Sequence, residues 1–341
     1  MSIVFIFLDG VGLAPAGHDN PLTDAATPSL RALLGGPLTI EQARPETGDW
    51  GLEASLQPPA SSLQPPVLLK PIDATLGVEG LPQSGTGHTA LLAGVNAAAL
   101  HGRHQQHFPP VALRGLLAER SIFRRAAARG GRATFANAFG PGYWEAVAAG
   151  RIRRSASVIA AEGAGLRFRD GADLRAGRAL AWDVTGAAMR ARGIDAPLVA
   201  PRDAGANLAR LAADHDLVFY ESFLPDLAGH GRLSAPGRHG DGATERQPIA
   251  PSPRRPVTPS FTSEIHIVMS LLDELIGGAL AALRPKDTLL ITSDHGNIES
   301  AAEPVHTRNP VPLLAVGPGA PAFAAVASIA EIANAIDRAT G

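Results

Sequence analysis

The chain has 341 residues, no cysteine, a formal net charge of −2 and a hydrophobic fraction of 45%. Disulfides, thiolate metal sites and a cysteine nucleophile are therefore excluded, and any metal must be held by His, Asp, Glu or hydroxyl ligands. The length predicts about two domains and the composition a sizeable core.

The first element is the apolar run 3–8, "IVFIFL", read as a buried strand and followed at once by Asp9 and Gly10. It is too short for a signal peptide, and no apolar stretch reads as long enough for a membrane span, so a soluble cytoplasmic protein is expected, with no membrane partner. Residues 55–66 contain "SLQPP" twice, a local duplication that reads as a surface loop. Next comes "GLPQSGTGHTALLAG", 80–94, in which glycines and two hydroxyl residues, Ser84 and Thr86, precede an apolar run read as a helix over 90–100. Ser and Thr are ordinary helix caps. They are also the residues a nucleophile at a helix N-terminus would use, where anions are stabilised. This window alone leaves both readings open.

Residues 101–200 hold 16 Arg, no Lys and seven acidic residues, a net +9 against −11 for the rest. Such a lobe suits a phosphorylated substrate, although a solvated basic surface has the same composition. Nucleic-acid binding is disfavoured, because no basic stripe carries interleaved aromatics. The segment "RATFANAF", 132–139, reads as a further strand. Beyond it, helical patterns at 204–214, 264–283 and 328–339 alternate with apolar runs at 217–220, 289–292 and 312–316, which read as strands of a parallel sheet. Residues 232–262 are rich in Pro, Gly and Arg, lack periodicity and read as a long disordered loop.

The chemistry gathers after the strands. Asp9 follows the first; Asp226 follows "LVFYESF", with His230 four residues on; Asp294 and His295 follow "TLLITS"; and His306 precedes the last strand. In open α/β sheets, ligands bind outside the carboxyl ends of strands. Each residue alone has a structural reading. Together, three Asp, three His and a hydroxyl suit two divalent ions, a standard device for displacement at phosphorus.

These pieces resemble the alkaline phosphatase superfamily, in the branch of cofactor-independent phosphoglycerate mutase and phosphopentomutase. The matching segments are "FLDGVG", "QSGTGH" at 83–88, "DLAGH" at 226–230, "SDHGNIE" at 293–299 and "HTRNPVP" at 306–312, with "ATPSLRAL" and "SIAEIANAI" in support. The resemblance implies an α/β fold, a mostly parallel sheet with helices on both faces, formed by 1–100 and 201–341. A smaller Arg-rich cap of 101–200 would be inserted in it. It also implies two divalent ions, Mn2+ or Zn2+ with Mg2+ as a further option. Asp226, His230 and His306 would hold one, and Asp9, Asp294, His295 and the nucleophile hydroxyl the other. Mutases of this branch place the nucleophile four residues before a Gly-His histidine, which selects Ser84, with Thr86 as runner-up. His88 would orient the loop, and His101, His104 and His107 read as loop or interdomain residues.

The implied activity is phosphoryl transfer on a small phosphorylated metabolite through a phosphoserine, as a phosphomutase or phosphatase. The alternatives are a phosphodiesterase or other hydrolase on the same core, or an inactive metal-binding relative. Arg103, Arg151, Arg153 and Arg154 are the candidate substrate clamps. The middle lobe is shorter than that of the phosphoglycerate mutase, and neither Lys70 nor Lys286 matches that family's lysine. The expected sulfatase pattern is absent after Ser84.

Overall fold

Every residue of Ile3–Leu8 (β1) is buried because neighbouring strands flank it and helices cover both its faces. The computed structural model describes residues 1–43, 65–233, 259–302 and 305–341. The other strands are Val67–Ile72 (β2), Ala133–Phe135 (β3), Leu217–Ser222 (β4), Thr288–Thr292 (β5) and Val311–Val316 (β6). They form one six-stranded sheet in the order β2-β6-β5-β1-β4-β3. Strands β5, β1, β4 and β3 run parallel, so their carboxyl ends share one edge. The run at 312–316, expected as a parallel strand, is antiparallel to β5, and β2 is antiparallel to β6. The sheet is therefore mixed, with its parallel half carrying Asp9, Asp226 and Asp294 beyond the strand ends.

The alternation along β1 divides the core. Ile3, Phe5 and Phe7 point into one cluster, with the helices Ser84–Ala93 and Ala156–Gly163; Val4, Ile6 and Leu8 point into the other. The second cluster is dominated by the helix Pro259–Ala282, which packs on the helix Pro201–Arg210. Its stretch Thr262–Ala282 is long and apolar enough, by length and composition, to cross a membrane, which corrects the expectation that no segment is. Here that composition is used for burial: Ile265, Val268, Met269, Leu272, Leu275, Ile276 and Ala279 are all in the core. The same helix buries Asp273, whose carboxylate accepts the backbone amides of Ser29 and Leu30 at the start of the helix Pro28–Leu34.

Residues 101–200 are partly built into this core. They supply β3, and the helices Arg114–Arg120, Ile122–Ala128 and Ala156–Gly163 share the Phe5 cluster. A small core of their own joins Ala138, Leu174, Ala179, Ala181, Met189 and Ala196. The packing boundary of the smaller lobe thus falls inside 101–200 rather than at its ends. Most of the "SLQPP" repeat and most of the 232–262 segment lie outside the described residues, while 259–262 open the long helix instead of ending a loop.

Candidate metal centre

Ser84 is the first residue of a helix, not part of a loop before one. Ser84–Ala93 is helical, Gln83 is its N-cap in extended conformation, and no side chain caps it. Two glycines that would disfavour a helix by propensity are retained here by packing. A Cβ on Gly87 would lie 2.9 Å from Cβ of Asp294, and one on Gly85 would lie 2.4 Å from the Phe108 carbonyl. Only a residue without a side chain lets this helix start press against both the Asp294 turn and the 105–108 segment.

Thr86 faces away from the carboxylates. Its hydroxyl donates to the Gln83 carbonyl (3.3 Å) and accepts from the Gln105 amide (3.2 Å), while its own amide donates to the Gln105 carbonyl (3.2 Å). Ser84 turns the other way, with Oγ 3.0 Å from Nε2 of His295.

Around that atom the three strand ends converge. Nε2 of His295 lies 3.1 Å from Asp9 and 3.6 Å from Asp294, both buried. Beside them, Oδ1 of Asp226 is 3.2 Å from Nε2 of His230 and 3.4 Å from Nε2 of His306, and those two nitrogens are 3.3 Å apart. The ligand-bearing atoms of Asp9, Asp294 and His295 form one compact set, and those of Asp226, His295 and His306 another. His295 belongs to both, and its ring stacks on His306 at 3.7 Å. All seven residues expected to hold metal are thus brought to one place.

The electrostatics show what this arrangement lacks. Neither carboxylate oxygen of Asp294 is hydrogen bonded, although the residue is wholly buried. Burial, reinforced by the charge of Asp9, pushes its carboxyl well above the usual range. Burial alone would lower His295, but the charges of Asp294 and Asp9 push it up to about 10. Burial also opposes the ionisation of Asp226, yet hydrogen bonds from His230 and His306 hold it well below the usual range. Close-packed carboxylates without donors are costly to bury unless a cation compensates them. The donor set, imidazole nitrogens with carboxylate and hydroxyl oxygens, fits divalent ions of the Zn2+ and Mn2+ type.

Outer contacts orient the imidazoles and carboxylates. Nδ1 of His306 lies 2.8 Å from the Pro82 carbonyl, which favours Nδ1–H and frees Nε2 for a cation. Asn297 Nδ2 donates to Oδ1 of Asp226 at 2.8 Å. Buried Glu299 accepts the amides of Gly12 (3.0 Å) and Asn297 (2.8 Å) and the Thr307 hydroxyl, tying the Asp9, Asp294 and His306 loops together. Sequence reasoning assigned no role to Asn297 or Glu299, although both lie in the quoted "SDHGNIE". His107, read as a loop residue, adopts φ +58° and lies among the charges of Arg232, Asp226, His230 and His306; burial lowers its pKa.

His88 is buried against Phe7, ring centroids 4.2 Å apart, and burial lowers its pKa to about 4, so it remains neutral. Of the candidate arginines, Arg103 and Arg151 are exposed, and Arg154 is drawn to Glu162 at 2.8 Å. Arg153 is exposed as well, but its guanidinium lies 5.7 Å from the centre of the ring of Phe108, the residue whose carbonyl abuts Gly85.

Glu221, at the end of β4, is buried and accepts the Ser157 hydroxyl from the helix Ala156–Gly163. Burial pushes it up to about 8; the Ser157 hydrogen bond opposes that rise, and the charge of Asp9 adds to it. The folded state therefore holds a proton that the unfolded chain releases near pH 4.5. Stability from this group is complete below about 4.5 and falls as pH rises towards 8. Glu221→Gln is expected to remove this contribution, up to about 1.4 kcal/mol per pH unit. Urea denaturation across that pH range checks it: an unchanged slope in the variant would show that Glu221 is ionised in the fold.

Comparison with known proteins gives a consistent assignment. A family model described as "Metalloenzyme superfamily" matches residues 263–337. A phosphopentomutase of Methylobacterium radiotolerans is 42% identical over 61 residues, 18% of this chain and 14% of that protein. One from another Methylobacterium is 56% identical over 39 residues, 11% of this chain and 10% of that protein. The matched segments are thus small parts of these relatives. Among solved structures, a variant alkaline phosphatase of the Antarctic bacterium TAB5, with Mg bound in its M3 site, superposes with a TM-score of 0.50 at 12% identity, over 99% of this chain and 97% of that one. At that identity the likeness concerns the fold. Family model, local sequence matches and fold agree in supporting a metalloenzyme of the alkaline phosphatase superfamily.

Proposed function

We propose that the chain transfers the phosphoryl group of a small phosphorylated metabolite through a phosphoserine at Ser84. The observation that carries this reading is the placement of Ser84 Oγ, 3.0 Å from His295, at a helix start that faces Asp9 and Asp294. Asp226, His230 and His306 would hold one divalent ion, and Asp9, Asp294, His295 and Ser84 the other, with His295 between them. When bound, the ions supply positive charge that lowers the hydroxyl pKa and offsets the charge gathering on the phosphoryl group.

The residues divide the remaining work. Ser84 Oγ forms a bond to phosphorus as the ester P–O bond breaks, and the leaving oxygen takes up a proton. The ten-residue helix behind Ser84 presents its positive end to the phosphoryl group, less the Thr86 amide, which Gln105 already occupies. Arg153, whose guanidinium lies over the ring of Phe108, the residue that abuts Gly85, would hold the substrate. The second half of the reaction returns the phosphoryl group to another hydroxyl of the same molecule or to water.

A panel of phosphosugars and phosphoglycerates, followed by phosphorus NMR with added manganese, tests the reading. An isomerised monoester identifies a mutase and free phosphate a phosphatase. If monoesters of every class stay intact while a diester is cleaved, the proposal of monoester transfer fails.

A further inference from the structure

Four aromatic side chains lie outside the metal centre and belong to no part of the chemistry above. Phe139, Tyr143, Trp144 and Phe168 form one cluster, with centroid separations of 4.7 Å for Phe139–Tyr143, 5.5 Å for Phe139–Trp144, 5.3 Å for Phe139–Phe168 and 4.5 Å for Trp144–Phe168. Aromatic residues make up only 5% of the chain, yet none of these four is fully buried, and Trp144 is 38% exposed. The inner end of the cluster rests on buried Phe135 of β3. A core plug needs no exposed indole, so its outer end remains to be accounted for.

The position of the cluster connects it to the metal centre. Phe139 follows the carboxyl end of β3, the edge that also carries Asp9 and Asp226. Two residues earlier, the Asn137 side chain brackets the backbone of Glu221 on β4, donating to its carbonyl at 2.8 Å and accepting its amide at 3.0 Å. β1 is the next strand, and strands lie about 4.8 Å apart, so the cluster rises roughly two strand spacings from Asp9. The amides of Arg151 and Ile152 both donate to the Ala146 carbonyl, tying the turn before Arg153 to the helix Tyr143–Ala148 that bears Tyr143 and Trp144. Arg153 in turn reaches Phe108, whose carbonyl abuts Gly85 beside Ser84. A chain of contacts thus links the ring-bearing helix through the 151–153 turn and Phe108 to the helix start at Ser84.

We propose that Phe139, Tyr143, Trp144 and Phe168 are the shelf for a flat ring carried by the substrate, with Arg153 at its phosphate end. The substrate class is then a phosphate monoester of a ring-bearing alcohol, of which a nucleoside monophosphate is the simplest example. This rests on the phosphoryl-transfer reading, and it is tested separately from it by binding. Aromatic faces hold flat rings whatever their hydrogen-bonding edges, and an acyclic or small sugar phosphate gains nothing comparable.

The metal-loaded full chain is titrated with adenosine monophosphate and with ribose 5-phosphate while tryptophan fluorescence is followed. Adenosine monophosphate is expected to quench and ribose 5-phosphate not. Trp144→Leu is expected to abolish the quench, and Trp144→Phe, which keeps a ring, to retain binding of adenosine monophosphate by calorimetry. If the enzyme turns these esters over, kcat/KM for adenosine monophosphate should fall about tenfold in Trp144→Leu relative to that for ribose 5-phosphate. Equal quenching by both ligands, or a quench that survives in a folded Trp144→Leu protein, overturns the shelf. Quenching reports binding without turnover, so failure of the shelf and failure of the phosphoryl-transfer reading are told apart.

Discussion

Ser84→Ala is expected to lower phosphoryl transfer by on the order of 10^4-fold or more while leaving the fold and its melting temperature nearly unchanged. The side chain is buried at the start of a helix that it does not cap, so the loss of one hydroxyl removes a single contact, to His295, and no backbone support. Thr86→Ala should behave differently. The Thr86 hydroxyl donates to the Gln83 carbonyl and accepts from the Gln105 amide, so its loss loosens the placement of Ser84 without removing a reacting atom. A reduction of about tenfold to a hundredfold is expected there, of the size seen when a supporting contact is lost. Steady-state kinetics on both variants, with circular dichroism as the fold control, separates the two hydroxyls. Full activity in Ser84→Ala would assign the nucleophile elsewhere.

Removal of divalent ions is the second large effect. A chelator should abolish activity and lower the melting temperature, since a cation that binds only the folded state stabilises it by about 2.7 kcal/mol at a hundred times its dissociation constant. Asp294→Asn makes the expectation sharper. Without metal, the variant loses a wholly buried carboxyl that has no hydrogen-bond donor and sits beside Asp9, so it should be at least as stable as the parent chain. With metal, the parent should gain more stability than the variant, which keeps only the Asp226–His230–His306 set intact, and the variant's activity should be lower by several kcal/mol of transition-state stabilisation, on the order of 10^3-fold. Melting curves of both proteins with and without manganese should therefore cross. A variant destabilised equally under both conditions would show that Asp294 serves the fold rather than a cation.

The legible part of the molecule was the part built on strand ends. β1, β4 and β5 are built on apolar runs, 3–8, 217–220 and 289–291, that end within two residues of Asp9, Ser222 and Ser293, and burial on both faces selects that composition. Less of the remaining structure follows from local pattern. β2 carries Lys70 and Pro71 within six residues, so it does not read as a strand; Lys70 is accommodated because its amine donates to the Ala324 carbonyl. The direction of β6 is set by its partners, which an apolar run does not encode. The helix at Ser84 begins with glycines, which propensity assigns to a loop, and the contacts that favour helix there come from Asp294 and from 105–108. Arg153 could not be told from Arg151 or Arg154 in sequence, because Phe108 lies more than forty positions away.

The direct test of phosphoryl transfer through Ser84 is to quench the metal-loaded enzyme during turnover and map the phosphopeptide by mass spectrometry. Phosphate on Ser84, absent from Ser84→Ala and from chelator-treated enzyme, is the expected result. Phosphate on Thr86, or an active enzyme with phosphate on neither residue, would contradict it.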